Sequence, residues 1–338
     1  MWFSARKKII HFCHISKTFR FSVLCNYAKL LISFFASKIR NNAIHIGKPY
    51  SLSIEPSNFC NLKCPECPVG AGMLKRKGGN LHFELYKKIL KEAKPEIGWL
   101  NLYFQGEPFL NSELSEMIKE AKKLKIFTCI STNGHFLDAE NCQKLIDSKL
   151  SELIISIDGA SSLTYSKYRK GGDLKKVQDG VFQLIEKRKK SGSIFPFVSV
   201  QFLVFKHNQH EIPQIIKWCK TAKVDRLIFK SAQFYNFYNE DIEPPDIEKY
   251  SRYFKNKEGK LEIKKLTKNH CFKLWSSAVF SWDGEFVPCC YDKDLEHSAG
   301  NISDNSLIQL WKSDKMHRFR DIIIKNKTLV KICNNCPE

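Results

Sequence analysis

Three cysteines fall within eight residues of this chain: Cys60, Cys64 and Cys67, in the run CNLKCPEC with C-x3-C-x2-C spacing. Three is odd and such near neighbours pair poorly, so a disulfide does not account for them. A structural zinc site takes four ligands, usually as two separated pairs. Three thiolates in one loop suit a cubane 4Fe–4S cluster, with three irons held by protein and the fourth left open for a further ligand. On the loop alone two other readings stay open: three unrelated thiols, or a zinc site completed from elsewhere.

Size and charge narrow the class. At 338 residues with 43% hydrophobic content, the chain can bury a sizeable core as one large domain or two smaller ones. Of its thirteen cysteines, seven sit in two groups, and the others are Cys13, Cys25, Cys129, Cys142, Cys219 and Cys290. Clustered C-x2-C usage in a long chain reads as metal binding in a reducing compartment, so the expected location is cytoplasmic. The net charge of +20 could serve nucleic acid, an anionic membrane or an acidic substrate. Nine Lys and Arg precede the first acidic residue, Glu55, so much of the excess belongs to one end. There is no RNA-binding motif, and nucleic acid ranks low among the expected partners.

Residues 1–46 read as a basic, partly apolar extension. Its segment 21–37 is broken by Asn26 and Lys29 and is short of the roughly 20 apolar residues that span a bilayer. Two readings stay open for it: a helix covering one end of the fold, and a helix in peripheral contact with the inner membrane face. A transit peptide ranks below both.

From about residue 50, strand and helix alternate. Strands are expected over 50–55, 99–104, 126–131, 152–157, 197–205 and 226–230. Helices are expected over 82–93, 112–124 (capped by Ser112), 138–146, 174–190 and 211–221. Six strand units alternating with helices imply an α/β fold with a parallel sheet, and periodicity does not decide between an open sheet and a partial barrel. In either, ligands sit at the C-terminal ends of the strands. Those ends carry Gln105-Gly106-Glu107-Pro108, Ser131-Thr132-Asn133-Gly134 and Ser156-Ile157-Asp158-Gly159. Glycine permits close backbone approach, and a carboxylate can meet an ammonium or a ribose diol.

The spacing of Cys60, Cys64 and Cys67 resembles the signature of the radical S-adenosylmethionine (SAM) superfamily. The resemblance implies a partial (β/α)6 TIM-type barrel and a 4Fe–4S cluster on these cysteines, its open iron chelated by the methionine end of SAM. It also implies reductive cleavage of SAM to a 5′-deoxyadenosyl radical, fed by an external one-electron reductant such as flavodoxin or ferredoxin. Gly106 and Glu107 resemble the segment that binds the SAM amino group, with Gln105 in place of its first glycine. Ser131, Asn133, Ser156 and Asp158 look like the segments lining ribose and methionine, and Arg169 is placed like the arginine that pairs with the SAM carboxylate. One departure stands out: many relatives have an aromatic residue before the third cysteine, where this chain has Glu66. Adenine contacts then fall to other positions, around Gln201 and Leu203.

Residues 236–268 read as a linker in which the Pro244-Pro245 pair and polar run argue against regular structure. The second cysteine group follows in 269–338, after a core spanning 47–235. Cys271 and Cys289 flank Trp282-Asp283-Gly284-Glu285, a hairpin signal, and Cys333 and Cys336 form a C-x2-C pair. Ser306 is the expected cap of a helix carrying Leu307, Leu310 and Trp311. Four-cysteine zinc ribbons share this layout. The order C-x12-G-x4-C then C-x2-C resembles the SPASM/twitch extension of radical SAM enzymes, which implies a second, auxiliary 4Fe–4S cluster on Cys271, Cys289, Cys333 and Cys336. Cys290 competes with Cys289 for the ligand role.

The leading functional expectation is a radical SAM oxidoreductase: hydrogen abstraction beside an alcohol, with the substrate electron passing to the auxiliary cluster. A SPASM-type peptide-modifying maturase is the alternative, and epimerisation would look similar. An iron–sulfur electron-transfer protein without SAM chemistry, or an RNA-binding protein, are readings of a different class. The substrate and the group that takes its proton are not legible.

Overall fold

The computed structural model describes residues 16, 20–235, 242–264 and 269–336. Parts of the expected extension (1–15, 17–19) and linker (236–241, 265–268) lie outside them.

Along the chain, helix α1 (Phe21–Arg40) precedes strand β1 (Ser51–Ile54), helix α2 (Phe83–Ala93), strand β2 (Trp99–Asn101) and helix α3 (Leu114–Lys123). Strand β3 (Phe127–Thr132), helix α4 (Ala139–Asp147) and strand β4 (Glu152–Ser156) follow. Next come helices α5 (Ser162–Tyr168) and α6 (Leu174–Lys190), strand β5 (Phe197–Val204), helix α7 (Ile212–Thr221) and strand β6 (Arg226–Ser231). The C-terminal third holds β7 (Tyr253–Lys255), β8 (Leu261–Ile263), the turn of helix α8 (Lys273–Ser276), β9 (Ser277–Phe280), β10 (Glu285–Val287), β11 (Gly300–Asn301), α9 (Leu307–Trp311) and α10 (Asp314–Asn326). The α/β class and parallel strands expected from the alternation are present.

The chain divides into two compact units. Among the described residues, one comprises 60–74, 129–235 and 242–264, the other 16, 20–59, 75–128 and 269–336. In the second, β1 pairs in parallel with β2 and with β9, and β9 turns back antiparallel into β10 and then β11. The Asp283–Gly284 turn makes the expected hairpin, and Gly284 takes φ 89°, where a side chain would be strained. Helix α2 buries Tyr86, Ile89, Leu90 and Ala93 on one face, as its 3.6-residue spacing demands. Ser306 and Gln309 form a reciprocal capping box at the start of α9.

In the other unit, β3 from Cys129 onward, β4, β5 and β6 run in parallel register. Asp138, Ser161 and Asp173 cap α4, α5 and α6 by accepting from backbone N–H groups in the first turn. Two buried ion pairs fasten this sheet: Arg188 donates to Asp225 at 2.5 Å, and Arg226 pairs with Glu152.

Four expectations need correction. Strand β2 stops at Asn101 rather than 104, because the Gln105 N–H leaves the ladder to donate to the Glu55 carboxylate at 3.1 Å. Ser112 does not cap α3: Asn111 organises the entry instead, its amide donating to Pro56 O and Leu81 O while its oxygen accepts from Glu113 N. Helix α5 was not foreseen, since two turns give too little periodicity to see. Residues 253–263 form a two-stranded hairpin rather than irregular linker. Tyr253 draws them in, its ring 5.5 Å from Phe234 and its hydroxyl accepting from Phe234 N.

Candidate functional site

Within the first unit, the loop of Cys60, Cys64 and Cys67 is tied down by backbone. Lys63 N donates to Lys170 O at 2.9 Å, and Cys67 N donates to Cys64 O at 3.2 Å. Gly70 is required behind it, because a Cβ there would lie 2.4 Å from Cys64 N. The three cysteines pack against one apolar cluster that includes Leu62, Tyr168, Phe205, Phe234, Ile242 and Tyr253. The hairpin of β7 and β8 contributes to that cluster through Tyr253, Leu261 and Ile263, so the supposed linker helps exclude water from the thiols.

Two of the expected residues, Asn133 and Arg169, lie beside this loop. Asn133, just past β3, lies with its amide 3.9 Å from Cys60 Sγ and donates to Asn61 Oδ1 at 2.7 Å. Arg169 Nη1 lies 3.9 Å from Cys64 Sγ. Burial pushes the Cys64 thiol up to about 11, and the Arg169 charge opposes that shift. Ser156 closes β4, buried and paired in register with Gln201, and Ser131 sits half-buried in β3.

Asp158 is fully buried and already engaged. Its Oδ2 accepts from Arg169 Nε at 2.6 Å, its Oδ1 accepts from Leu203 N at 2.7 Å, and Asn208 donates to its backbone oxygen. Asp158 thus holds Arg169 in place. Glu66, the departure from the family pattern, turns inward and accepts from Tyr235 N at 2.9 Å.

In the second unit, Gly106 takes φ 72°, and a Cβ there would meet Ser57 O at 2.4 Å. Glu107 N donates to Phe59 O at 2.7 Å, and the buried Glu107 carboxylate accepts from Phe109 N at the start of a 3-10 turn. Glu55, directly after β1, was not foreseen as a site residue. It receives both ends of the Arg76 guanidinium at 2.6 and 2.5 Å, together with Gln105 N and Trp282 N. Its partners lie 21 to 227 residues away in sequence, so no local signal marks it.

The same unit holds Cys271, Cys289, Cys333 and Cys336. Cys271 and Cys333 pack against one cluster with Phe34, Leu274, Trp275, Phe319, Ile323 and Val330. Cys336 N donates to Cys333 O at 3.1 Å, which folds the C-x2-C pair into one turn. Burial and the neighbouring Cys336 and Cys271 thiols push Cys333 up to about 12. Cys289 is pushed well up by its hydrogen bond with Cys290 and by burial, and Cys290 itself is exposed. Among the described residues, no three His, Cys, Asp or Glu side chains are grouped as ligands of a single ion. A cubane asks for a different arrangement: its thiolates bind separate irons and stand farther apart, within an apolar surround. Cys60, Cys64 and Cys67 have that surround, as do Cys271 and Cys333 of the second set.

Comparison with known families settles the class. Residues 54–219 match the model of the radical SAM superfamily, and residues 271–337 match SPASM, an iron–sulfur cluster-binding domain. The chain belongs to the radical SAM superfamily. Both cysteine groups lie in matched segments, so this radical SAM enzyme carries SAM and iron–sulfur clusters as its cofactors. It is 26% identical over 315 residues to the tungsten-containing aldehyde ferredoxin oxidoreductase cofactor-modifying protein of Pyrococcus furiosus, covering 84% of this chain and 86% of that one. It is 29% identical over 206 residues to a PqqA peptide cyclase of Bradyrhizobium diazoefficiens, a match spanning 59% of this chain and 51% of the cyclase. Streptococcus suis SuiB bound to S-adenosylmethionine shares the fold at TM-score 0.61 and 15% identity, with 90% of this chain and 75% of that one aligned.

Proposed function

We propose that this radical SAM enzyme performs a dehydrogenation-type oxidation, using two disjoint thiol sets as electron source and electron sink. Cys60, Cys64 and Cys67 would hold a cluster that would supply the electron for reductive cleavage of SAM to methionine and a 5′-deoxyadenosyl radical, and Cys271, Cys289, Cys333 and Cys336 would hold one that would take up the electron left on the substrate after hydrogen abstraction and proton loss. The chain's own residues bind and orient. Arg169, held by Asp158, pairs with the SAM carboxylate through its remaining guanidinium N–H groups. Gly106 and Glu107 receive the SAM ammonium, and Ser131, Asn133 and Ser156 line the remainder of SAM. The apolar cluster around Leu62, Tyr168 and Phe234 keeps water from the thiols.

One observation supports the sink in particular: four cysteines in the second unit against three in the cluster loop. A fully ligated cluster leaves no iron for a substrate and suits electron transfer. The second reading, a peptide-modifying maturase, is favoured by the likeness to PqqA peptide cyclases and is tested alongside. Reconstituted anaerobically and reduced, the enzyme should form 5′-deoxyadenosine from SAM, and Cys64→Ala should abolish it. With alcohol-bearing substrates, an oxidised carbonyl product that disappears in Cys333→Ala while deoxyadenosine persists supports the oxidation. A cross-linked peptide product instead supports the maturase, and equal deoxyadenosine from Cys64→Ala and parent would end both.

A further inference from the structure

Helix α1 has two apolar faces. One is buried in its unit: Val23, Asn26, Leu30, Ser33, Phe34 and Ser37. Phe34 anchors it, its ring 5.3 Å from Phe272 and 5.4 Å from Trp275. Asn26 stitches it further, donating to Lys48 O and accepting from Lys48 N. The opposite face carries Phe21, Leu24, Ala28, Ile32, Phe35 and Ile39, spaced by three or four residues into one straight stripe. Its large members are 49–85% exposed. A helix fastened to its own fold therefore still offers a full-length hydrophobic edge, a pattern that marks an interaction surface.

The borders of the stripe identify the partner. Lys29 and Arg40 flank one side and Lys38 the other, all exposed, and no acidic residue occurs anywhere before Glu55. Lys38 Nζ lies 5.8 and 5.9 Å from the Phe34 and Phe35 rings, so its ammonium stands at the edge of the stripe. No helix among the described residues is long and apolar enough to cross a membrane. A second copy of this chain is disfavoured by charge: a twofold contact along the stripe would set these cations against one another with no carboxylate on the helix to pair them.

We infer that α1 is an interfacial anchor that lays its Phe21–Ile39 stripe into an anionic lipid surface, with Lys29, Lys38 and Arg40 at headgroup level. The stripe supplies the buried area and the cations supply the preference for negative lipid.

The test is flotation of the full-length reconstituted protein with vesicles of phosphatidylcholine alone or with one third phosphatidylglycerol. Binding to the anionic vesicles should exceed binding to the neutral ones by about a hundredfold and weaken with salt. Ile32→Gln with Phe35→Gln, both on the exposed stripe, should cut anionic binding about tenfold or more while the thermal midpoint and deoxyadenosine formation stay at parent level. Lys29→Gln with Lys38→Gln should lower it about fivefold per cation removed, an effect that vanishes on neutral vesicles. Equal binding by parent and stripe variant would overturn the inference. So would absence of binding to anionic vesicles, or a dimer in sedimentation that the stripe variant dissolves.

Discussion

Arg169 joins Asp158 to Cys64: its Nε donates to the Asp158 carboxylate at 2.6 Å while its Nη1 stands 3.9 Å from the Cys64 sulfur. One cation therefore answers to a buried carboxylate on one side and to the thiol loop on the other. Removing one partner of a buried ion pair costs about 3–5 kcal/mol, because the other charge is left in low dielectric. Asp158→Asn should lower unfolding free energy by about that amount and weaken SAM binding. Adding Arg169→Met should recover part of the stability and none of the SAM affinity, measured by urea unfolding and by SAM titration. A double variant no more stable than Asp158→Asn would contradict the pairing.

Glu55 is the corresponding junction in the second unit, where its carboxylate accepts from Arg76, Gln105 N and Trp282 N. Glu55→Gln keeps the shape but replaces an acceptor oxygen with a donor facing N–H groups. A loss of about 3–5 kcal/mol in chemical unfolding is expected. A change below about 1 kcal/mol would mean that Arg76 finds another partner.

Gly70 separates the two thiol sets experimentally. An alanine Cβ there would sit 2.4 Å from Cys64 N and 2.7 Å from Cys64 O, so the cysteine loop has to shift. At Gly72, by contrast, an added Cβ meets nothing within 4 Å, so alanine there carries only the local backbone strain of a side chain at φ 68° and pushes on no cysteine. Gly70→Ala should drop iron from about eight toward about four per reconstituted chain, whereas Gly72→Ala should keep the parent count. Identical counts for both variants would show that the loop is not so confined.

His45 packs edge-on against Trp311, with ring centroids 4.8 Å apart. Burial first, and then the Arg320 charge, lower its pKa from 6.5 to about 3. Between those values the unfolded chain binds the extra proton and the folded one does not, so stability falls as pH drops from 6.5 toward 3. This ring accounts for about 1.4 kcal/mol per pH unit at most within that window. From pH 7 to pH 5 the parent should lose about 2 kcal/mol more than His45→Phe in urea unfolding. Parallel losses would assign the acid sensitivity to other groups.

What was legible in the sequence follows from how local each signal is. Helix α6 runs over Leu174–Lys190, the range its spacing gives, because its buried stripe of Leu174, Val177, Val181 and Leu184 is written in consecutive turns. The cysteine loop and Asn133 were visible as residue types at strand ends and Arg169 by its resemblance to a family position, and the structure has Asn133 and Arg169 beside the sulfurs. The short β2, the Asn111 entry to α3 and the β7–β8 hairpin depend on partners far along the chain, Glu55, Pro56 and Phe234 among them. The commitment of Asp158 to Arg169 was hidden for a similar reason: each residue fits a SAM contact singly, and only the fold shows that they spend charge on each other. Of the two readings left open for α1, the covering helix matches its buried face, and membrane contact is the proposal made for its exposed one.

Electron paramagnetic resonance of the reduced, reconstituted enzyme with and without SAM tests the central claim most directly. SAM should change the signal of the parent and of Cys333→Ala with Cys336→Ala, and leave unchanged the signal of the variant with Cys60, Cys64 and Cys67 all replaced by Ala. A SAM-dependent change that survives loss of those three cysteines would contradict the account.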